Sequence, residues 1–519
     1  MTFKNPTATL RIDRCLIPVL CLGTLFPAAA QTAGPSPPDK ATARVGAQAT
    51  IITEALLKAK PEWRQRPVVD DLRVTALYAQ HGAEAVCLLA YDICEILRRE
   101  VPPLKQAVAN ALGLSPDRVH IFCSHTHSSS MDDSQHDTAI LTAKSVAAAK
   151  AARQNAAEVR ELGLLRINTG KKFSINRRTN HGELGTWCLM QAQGCVDNGQ
   201  TVDGTPWVRD KLVSYGASTE EAGAITGPIV ADRENDPYLE LLLFPKTGGG
   251  YAGGLVRFTA HPVVCSAGYW QPNLGRDYPG PLCDRLSEAF ECPILFLQGP
   301  CGDHRARHRA VGIEERDRIG LGLADLLLAE RDTIRIYPFD RLGHAARNVT
   351  CPLNKAIPPS EREAKRLERE AKRLLHTLPH GIDRLKTRKD LAEQVAFYNH
   401  AAQVLAGSSY LTPQEGKTRE APLTVSCIAL GGVHLLNFPG ELFSTVSKGL
   451  ESVDGSPNIL VSFADGVTGY LMPREDLAQG AYEATWALFD PESVSALRTV
   501  ALELLREVQA TDKGGEADR

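Results

Sequence analysis

The chain has 519 residues, 58 basic against 61 acidic side chains for a formal charge of −3, and 43% hydrophobic residues. A balance this even leaves no concentrated basic face for nucleic acid, and no apolar run reaches the length of a settled membrane span. What remains is one large α/β domain or two ordinary ones, with small molecules or lipids as partners.

The first thirty residues set the compartment. Lys4, Arg11 and Arg14 precede the apolar stretch Cys15 to Phe26, and Ala28-Ala29-Ala30 offers small residues for cleavage. This is the layout of a signal peptide (residues 1–30), and Leu20 before Cys21 is too bulky for a lipoprotein signal. The mature protein is expected to be soluble and exported, either secreted or periplasmic. Residues 31–41, rich in Pro, Ser and Gly, read as a flexible lead-in. Of thirteen cysteines, Cys15 and Cys21 leave with the leader, so an odd number remains and at least one thiol stays unpaired or pairs between chains. Cys188 and Cys195 are the nearest pair for a local bridge. No CxxC pair exists, so a structural cysteine-zinc site is not expected.

From about Arg44 apolar strands alternate with helices, the rhythm of layered mixed β-sheets flanked by helices in an α/β domain over residues 42–510. The pattern predicts strands at Val86–Tyr91, Arg118–Cys123 and Leu162–Ile167, and helices at Pro103–Leu112 and Thr142–Val159. The glycine run 248–250 predicts a hairpin between Tyr238–Phe244 and Leu255–Thr259 that delivers the chain to His261. Pro293–Leu297 reads as a buried strand opening into Gln298-Gly-Pro-Cys-Gly-Asp303. Residues 360–406 break the rhythm. A capping box of Ser360 and Glu363 precedes an apolar face of Ala364, Leu367, Ala371, Leu374 and Leu375, and Leu391, Val395, Tyr398, Ala402 and Leu405 trace a second. These predict a charged helical hairpin outside the core. The strand pair Leu423–Leu430 and Val433–Asn437 leads into Pro439-Gly-Glu441, a last helix runs to about Arg506, and 511–519 read as a disordered tail. No internal repeat is visible.

Strand ends recur at the residues able to do chemistry. His125 and His127 follow an apolar strand in Ser124-His-Thr-His-Ser128, where a turning chain lets two imidazoles share a cleft with different roles, one binding a metal and the other moving protons. His261 and Glu441 each follow another strand. Two imidazoles and a carboxylate form a usual catalytic zinc set with a position left for water or substrate.

Further motifs stand in order along the chain: Ile175-Asn-Arg177, Phe258-Thr-Ala-His-Pro262, Asp277-Tyr-Pro-Gly280, Gly302-Asp303, Phe438-Pro-Gly-Glu441, Gly469-Tyr470 and Ala481-Tyr-Glu483. With Ser124–Ser128 they resemble the catalytic domain of the neutral/alkaline (non-lysosomal) ceramidases, zinc-dependent amidases that cleave the N-acyl bond of ceramide. The resemblance covers roughly residues 42 to 500. It implies one Zn2+ per chain held by His125, His261, Glu441 and Tyr470, with His127 handling protons, Arg177 contacting substrate or oxyanion, and Tyr482 offering a second hydroxyl.

The chain departs from that family in three places. Gly299 stands where the family has its assigned serine, Ser128-Ser-Ser130 replaces Ser-Gly-Pro, and the family's C-terminal immunoglobulin-like domain is not expected after the last helix. Cys301 reads as a buried structural thiol, Gly299–Gly302 as a tight turn near the metal, and Gly299→Ser is expected to leave the zinc in place. The reading is an exported zinc hydrolase of a linear carboxamide, ceramide or another N-acyl lipid or small molecule, with transient membrane-surface contact and metal-activated water as nucleophile. A zinc esterase, lactonase or peptidase on the same scaffold is the second reading, and a non-catalytic binding protein the third.

Overall fold

Three five-stranded sheets organise the computed structural model, which describes residues 42–510 except 130–135, 191–193, 267–272 and 408–410. The leader 1–30, the lead-in 31–41, Ser130 and the tail 511–519 lie outside the described residues. The architecture is mixed α/β.

Four strands of each sheet follow the same order. In the first, Ala43–Ile51, Arg73–His81 and Glu84–Tyr91 form an antiparallel meander, and Val119–Cys123 returns after the helix Val101–Leu112 to lie parallel to the third strand. In the second, the meander is Glu161–Asn168, Tyr238–Pro245 and Tyr251–Phe258, and Ile294–Gln298 returns parallel after the helix Pro279–Phe290. In the third, Leu342–Pro352, Glu420–Leu430 and Val433–Asn437 are joined by the parallel strand Ser456–Val461. A threefold repeat of topology therefore exists where the sequence shows no repeat. The reason is physical: the pattern that builds such a module is a run of buried apolar residues, which many residue choices satisfy.

Burial explains why these strands read as continuous apolar runs. Along Glu84–Tyr91, Cys87, Leu89 and Tyr91 pack outward beneath the helices Val101–Leu112 and Thr138–Gln154, while Val86, Leu88 and Ala90 face inward. Leu242, Leu255 and Leu297 of the second sheet and Ile428, Leu435 and Val461 of the third enter that same inner cluster. All three sheets thus share one core, with both faces of each sheet covered.

Several expectations change. The helix predicted to reach Val159 ends at Gln154, because Ala157–Val159 pairs as a strand with Ala43–Val45. Ser360 does cap Glu361–Thr377 by accepting from the Glu363 amide at 3.2 Å, but the Glu363 carboxylate turns to Arg366, so the box is half made. Cys188 and Cys195 are free thiols, as is every described cysteine. The Cys188 thiol is instead hydrogen-bonded to Glu483 and that of Cys195 to Arg305. The second helix of the hairpin, Leu385–Leu405, does more than cover the surface: Glu393 accepts from the Ala481 amide at 3.3 Å and His400 Nδ1 donates to the Thr485 carbonyl at 3.1 Å, bracing the segment that carries Tyr482.

Close approach of helix to sheet depends on Gly46. A β-carbon there would stand 2.2 Å from the Ala152 carbonyl and 2.6 Å from the Ala156 amide, both backbone atoms that cannot swing aside. Gly46→Ala should destabilise the protein by about 1–3 kcal/mol, read as a lowered urea midpoint with unchanged slope.

Candidate functional site

Every module delivers one key side chain from the end of its parallel strand pair. His125 follows Val119–Cys123 in the first, His261 follows Tyr251–Phe258 in the second, and Glu441 follows Val433–Asn437 in the third. The ligand atoms of these three buried side chains all lie within 4.8 Å of one another. Their backbone settings are unusual. His125 has φ 62°, a left-handed conformation that turns its ring out of the strand direction, and Gly440 at φ 63° makes the matching turn before Glu441.

The hydrogen bonds fix what each atom can do. His261 Nδ1 lies 2.8 Å from the Cys301 carbonyl and 2.9 Å from that of His304, so it must carry the proton. His125 Nδ1 donates likewise to the Cys94 carbonyl at 3.0 Å. Burial, foremost, holds both imidazoles well below the usual histidine range, so they are neutral at pH 7 and each Nε2 bears a lone pair. Those lone pairs face Glu441 Oε2 at 3.8 Å from His125 and 3.0 Å from His261. Three acceptors turned on one point repel unless a cation or a proton lies among them. The residues therefore fit a divalent metal, in the two-imidazole, one-carboxylate combination that leaves a coordination position open. A second grouping of Cys94, His125 and His127 also has metal-ligand spacing. The proton on His125 Nδ1, between the ring and Cys94, disfavours it.

The other predicted residues converge on the same place. His127 is half-buried, with its Nε2 3.1 Å from that of His125 and its amide donating to the Pro262 carbonyl. Tyr470 pairs with Glu441 in a short parallel bridge, its hydroxyl hydrogen-bonds the Glu441 carboxylate, and its ring stacks toward that of His261 with centroids 6.4 Å apart. Tyr482 lies beyond Tyr470, ring centroids 6.2 Å apart. Arg177 is almost wholly buried: its Nη2 donates to the Tyr470 hydroxyl and to the Gly302 carbonyl, both at 2.9 Å, and its Nε to Glu483 at 3.0 Å. It therefore stands behind Tyr470 and orients that hydroxyl. Glu483 also receives Arg178 at 2.9 Å, and although burial pushes its carboxyl up, Arg178 and Arg177 together hold it below the ordinary value.

Supporting residues that sequence reasoning left without roles complete the site. Gln298 Nε2 donates to the carbonyls of Ser124 at 3.2 Å and Ala260 at 2.9 Å, joining the residues that precede both histidines. Tyr278 donates to the same Ala260 carbonyl at 2.7 Å, and Asp277 accepts from Ser128 at 3.4 Å and from the Cys265 amide at 2.8 Å. Asp303 binds Asn176, His304 and Ser444. Cys301 is fully buried, and its contribution is its carbonyl. An apolar strand ending in Gln, in Leu297-Gln298-Gly299, was the available signal for Gln298.

Neither a family model nor a curated protein sequence matches the chain. Solved structures do. Neutral ceramidase from Pseudomonas aeruginosa superposes with a TM-score of 0.57 at 14% identity, over 90% of this chain and 75% of that one. The fold is ceramidase-like. A structure described as ceramidase complexed with C2 matches with a TM-score of 0.56, again at 14% identity, over 90% of this chain and 76% of the other.

The loop at Gly299 is tightly packed. A β-carbon there would lie 2.1 Å from Thr259 Oγ1 and 2.7 Å from Arg257 Nε, and Thr259 in turn donates to Asp236 at 2.8 Å. The place a serine side chain would leave the backbone is already filled. Gly299→Ser should cost about 1–3 kcal/mol of stability, and adding Thr259→Ala should return part of that loss in a double-mutant cycle followed by chemical denaturation.

Proposed function

We propose that the chain is an exported, zinc-dependent hydrolase that cleaves the carboxamide bond of a lipid N-acyl amine of the ceramide class. The convergence of His125 Nε2, His261 Nε2 and Glu441 Oε2, with both Nδ1 protons tied to backbone carbonyls, carries this reading. The ceramidase-like fold supports it. So does the signal-peptide layout of the first thirty residues.

His125, His261 and Glu441 would hold the ion, with Tyr470 as the fourth protein ligand. Bound zinc supplies Lewis acidity that polarises the scissile carbonyl and acidifies an attacking water. His127, the most open of the three imidazoles, takes the proton from that water as it adds to the acyl carbon, and returns it to the departing amine nitrogen. Arg177 holds the Tyr470 hydroxyl in place from behind. Tyr482 offers a hydroxyl to the oxygen that gains charge as the carbonyl carbon becomes tetrahedral. Gly299 supplies no nucleophilic side chain, and direct attack by water requires none there.

Purified protein should contain one zinc per chain by elemental analysis and hydrolyse N-acyl sphingoid amides faster than matched esters. His125→Ala and His261→Ala should each lose the metal and fall to background turnover while keeping the wild-type circular dichroism spectrum. Zinc-free wild-type protein, or full activity in either variant, would overturn the assignment.

A further inference from the structure

The loop Phe463–Gly466 lies across two of the modules that supply the candidate metal ligands. It follows the parallel strand of the third sheet, yet Phe463 packs into the outer core of the first. There its ring lies on the His125 imidazole, centroids 4.1 Å apart and planes inclined by 25°. The edges of His127 and His261 meet the same imidazole at 4.7 and 4.8 Å, at 86° and 78°. His125 is therefore held on one face by a flat aromatic surface, at its Nδ1 by the Cys94 carbonyl, and along its rim by the other two histidines.

Holding Phe463 there takes an unusual backbone. Phe463, Asp465 and Gly466 have φ values of 55°, 54° and 111°, so two residues with side chains sit in the left-handed region within one four-residue turn. Such conformations persist only where surrounding bonds over-determine them. Here they do. The Phe463 amide donates to the Gly440 carbonyl at 3.1 Å, one residue before Glu441, and the Ala464 amide to the Phe438 carbonyl at 3.0 Å. On the other side, Asp465 is clamped to the strand leading to His125. Its amide donates to the Ile121 carbonyl at 2.8 Å, its carboxylate accepts from the Ile121 amide at 3.1 Å, and Lys105 closes on the same carboxylate at 2.9 Å.

We infer that Phe463 is a positioning residue for the metal centre: its ring fixes the orientation of the His125 imidazole, and the strained 463–466 turn, clamped by Asp465, sets the spacing between the strand ends that carry His125 and Glu441. This rests on the metal-site reading given above. A leucine at 463 keeps most of the apolar volume and removes the flat face, so it separates stacking from simple filling of space. Groups that orient metal-binding imidazoles typically change metal affinity 10- to 100-fold when lost.

The experiment has two arms. In metal-free protein with 15N-labelled histidine, the Nδ1 proton of His125 should exchange slowly in wild type and at least tenfold faster in Phe463→Leu, with Phe463→Tyr restoring slow exchange. In zinc titrations against a chelator, Phe463→Leu should bind 10- to 100-fold more weakly and Phe463→Tyr close to wild type, while all three metal-free proteins melt within a few degrees of one another. Unchanged His125 exchange in Phe463→Leu would overturn the inference, and so would unchanged zinc affinity. A wild-type chain that binds no zinc, yet shows the exchange difference, would sink the metal reading and leave the positioning of His125 standing.

Discussion

Two imidazole nitrogens and a carboxylate oxygen with nothing to donate to one another are held face to face in the interior of this protein. Burying such a set is unfavourable by itself, since each atom has left water and gained a like-polarity neighbour. The rest of the structure can be read as what makes that arrangement hold. Backbone carbonyls of Cys94, Cys301 and His304 fix the tautomers, Gln298 joins the two histidine-bearing strand ends, and Tyr278 secures the second of them.

The threefold topology gives this cluster its position. Each sheet carries its side chain just past the end of a strand of its parallel pair, and the inner faces of all three merge in one apolar core that brings those ends together. A site assembled from three modules is sensitive to how the modules abut. The charged residues behind it serve that purpose: Glu483 with Arg177 and Arg178 unites segments some three hundred positions apart in sequence, and Asp303 joins the second module to Ser444 of the third. Buried ion pairs of this kind contribute little net stability, and losing one partner is costly, so their value here lies in alignment.

The helical pair of Glu361–Thr377 and Leu385–Leu405 belongs to the same logic. Its outer face is a lattice of exposed i,i+4 ion pairs, which solvent screens and which contribute little to stability. Its inner helix holds the Ala481–Trp486 segment and with it Tyr482.

Apolar runs in the chain located eight strands of the three large sheets and missed others, among them Ala43–Ile51, Arg73–His81, Leu342–Pro352 and Ser456–Val461, while histidines or a glutamate just past a strand end singled out His125, His261 and Glu441. Local rules operate over a few residues, and these features are local. Tyr470 and Arg177 became candidates only through resemblance, because nothing within their own turns marks them. The role of Gln298, the crowding of Gly299 by Thr259 and the ring of Phe463 against His125 were invisible along the chain. Each is a contact between segments far apart in sequence, set by how the three sheets pack on their shared core. The residue types and their place at strand ends were thus determined by sequence, while their convergence, tautomers and mutual spacing were decided by tertiary packing, which alone brings distant backbone carbonyls within hydrogen-bonding reach of the buried imidazoles.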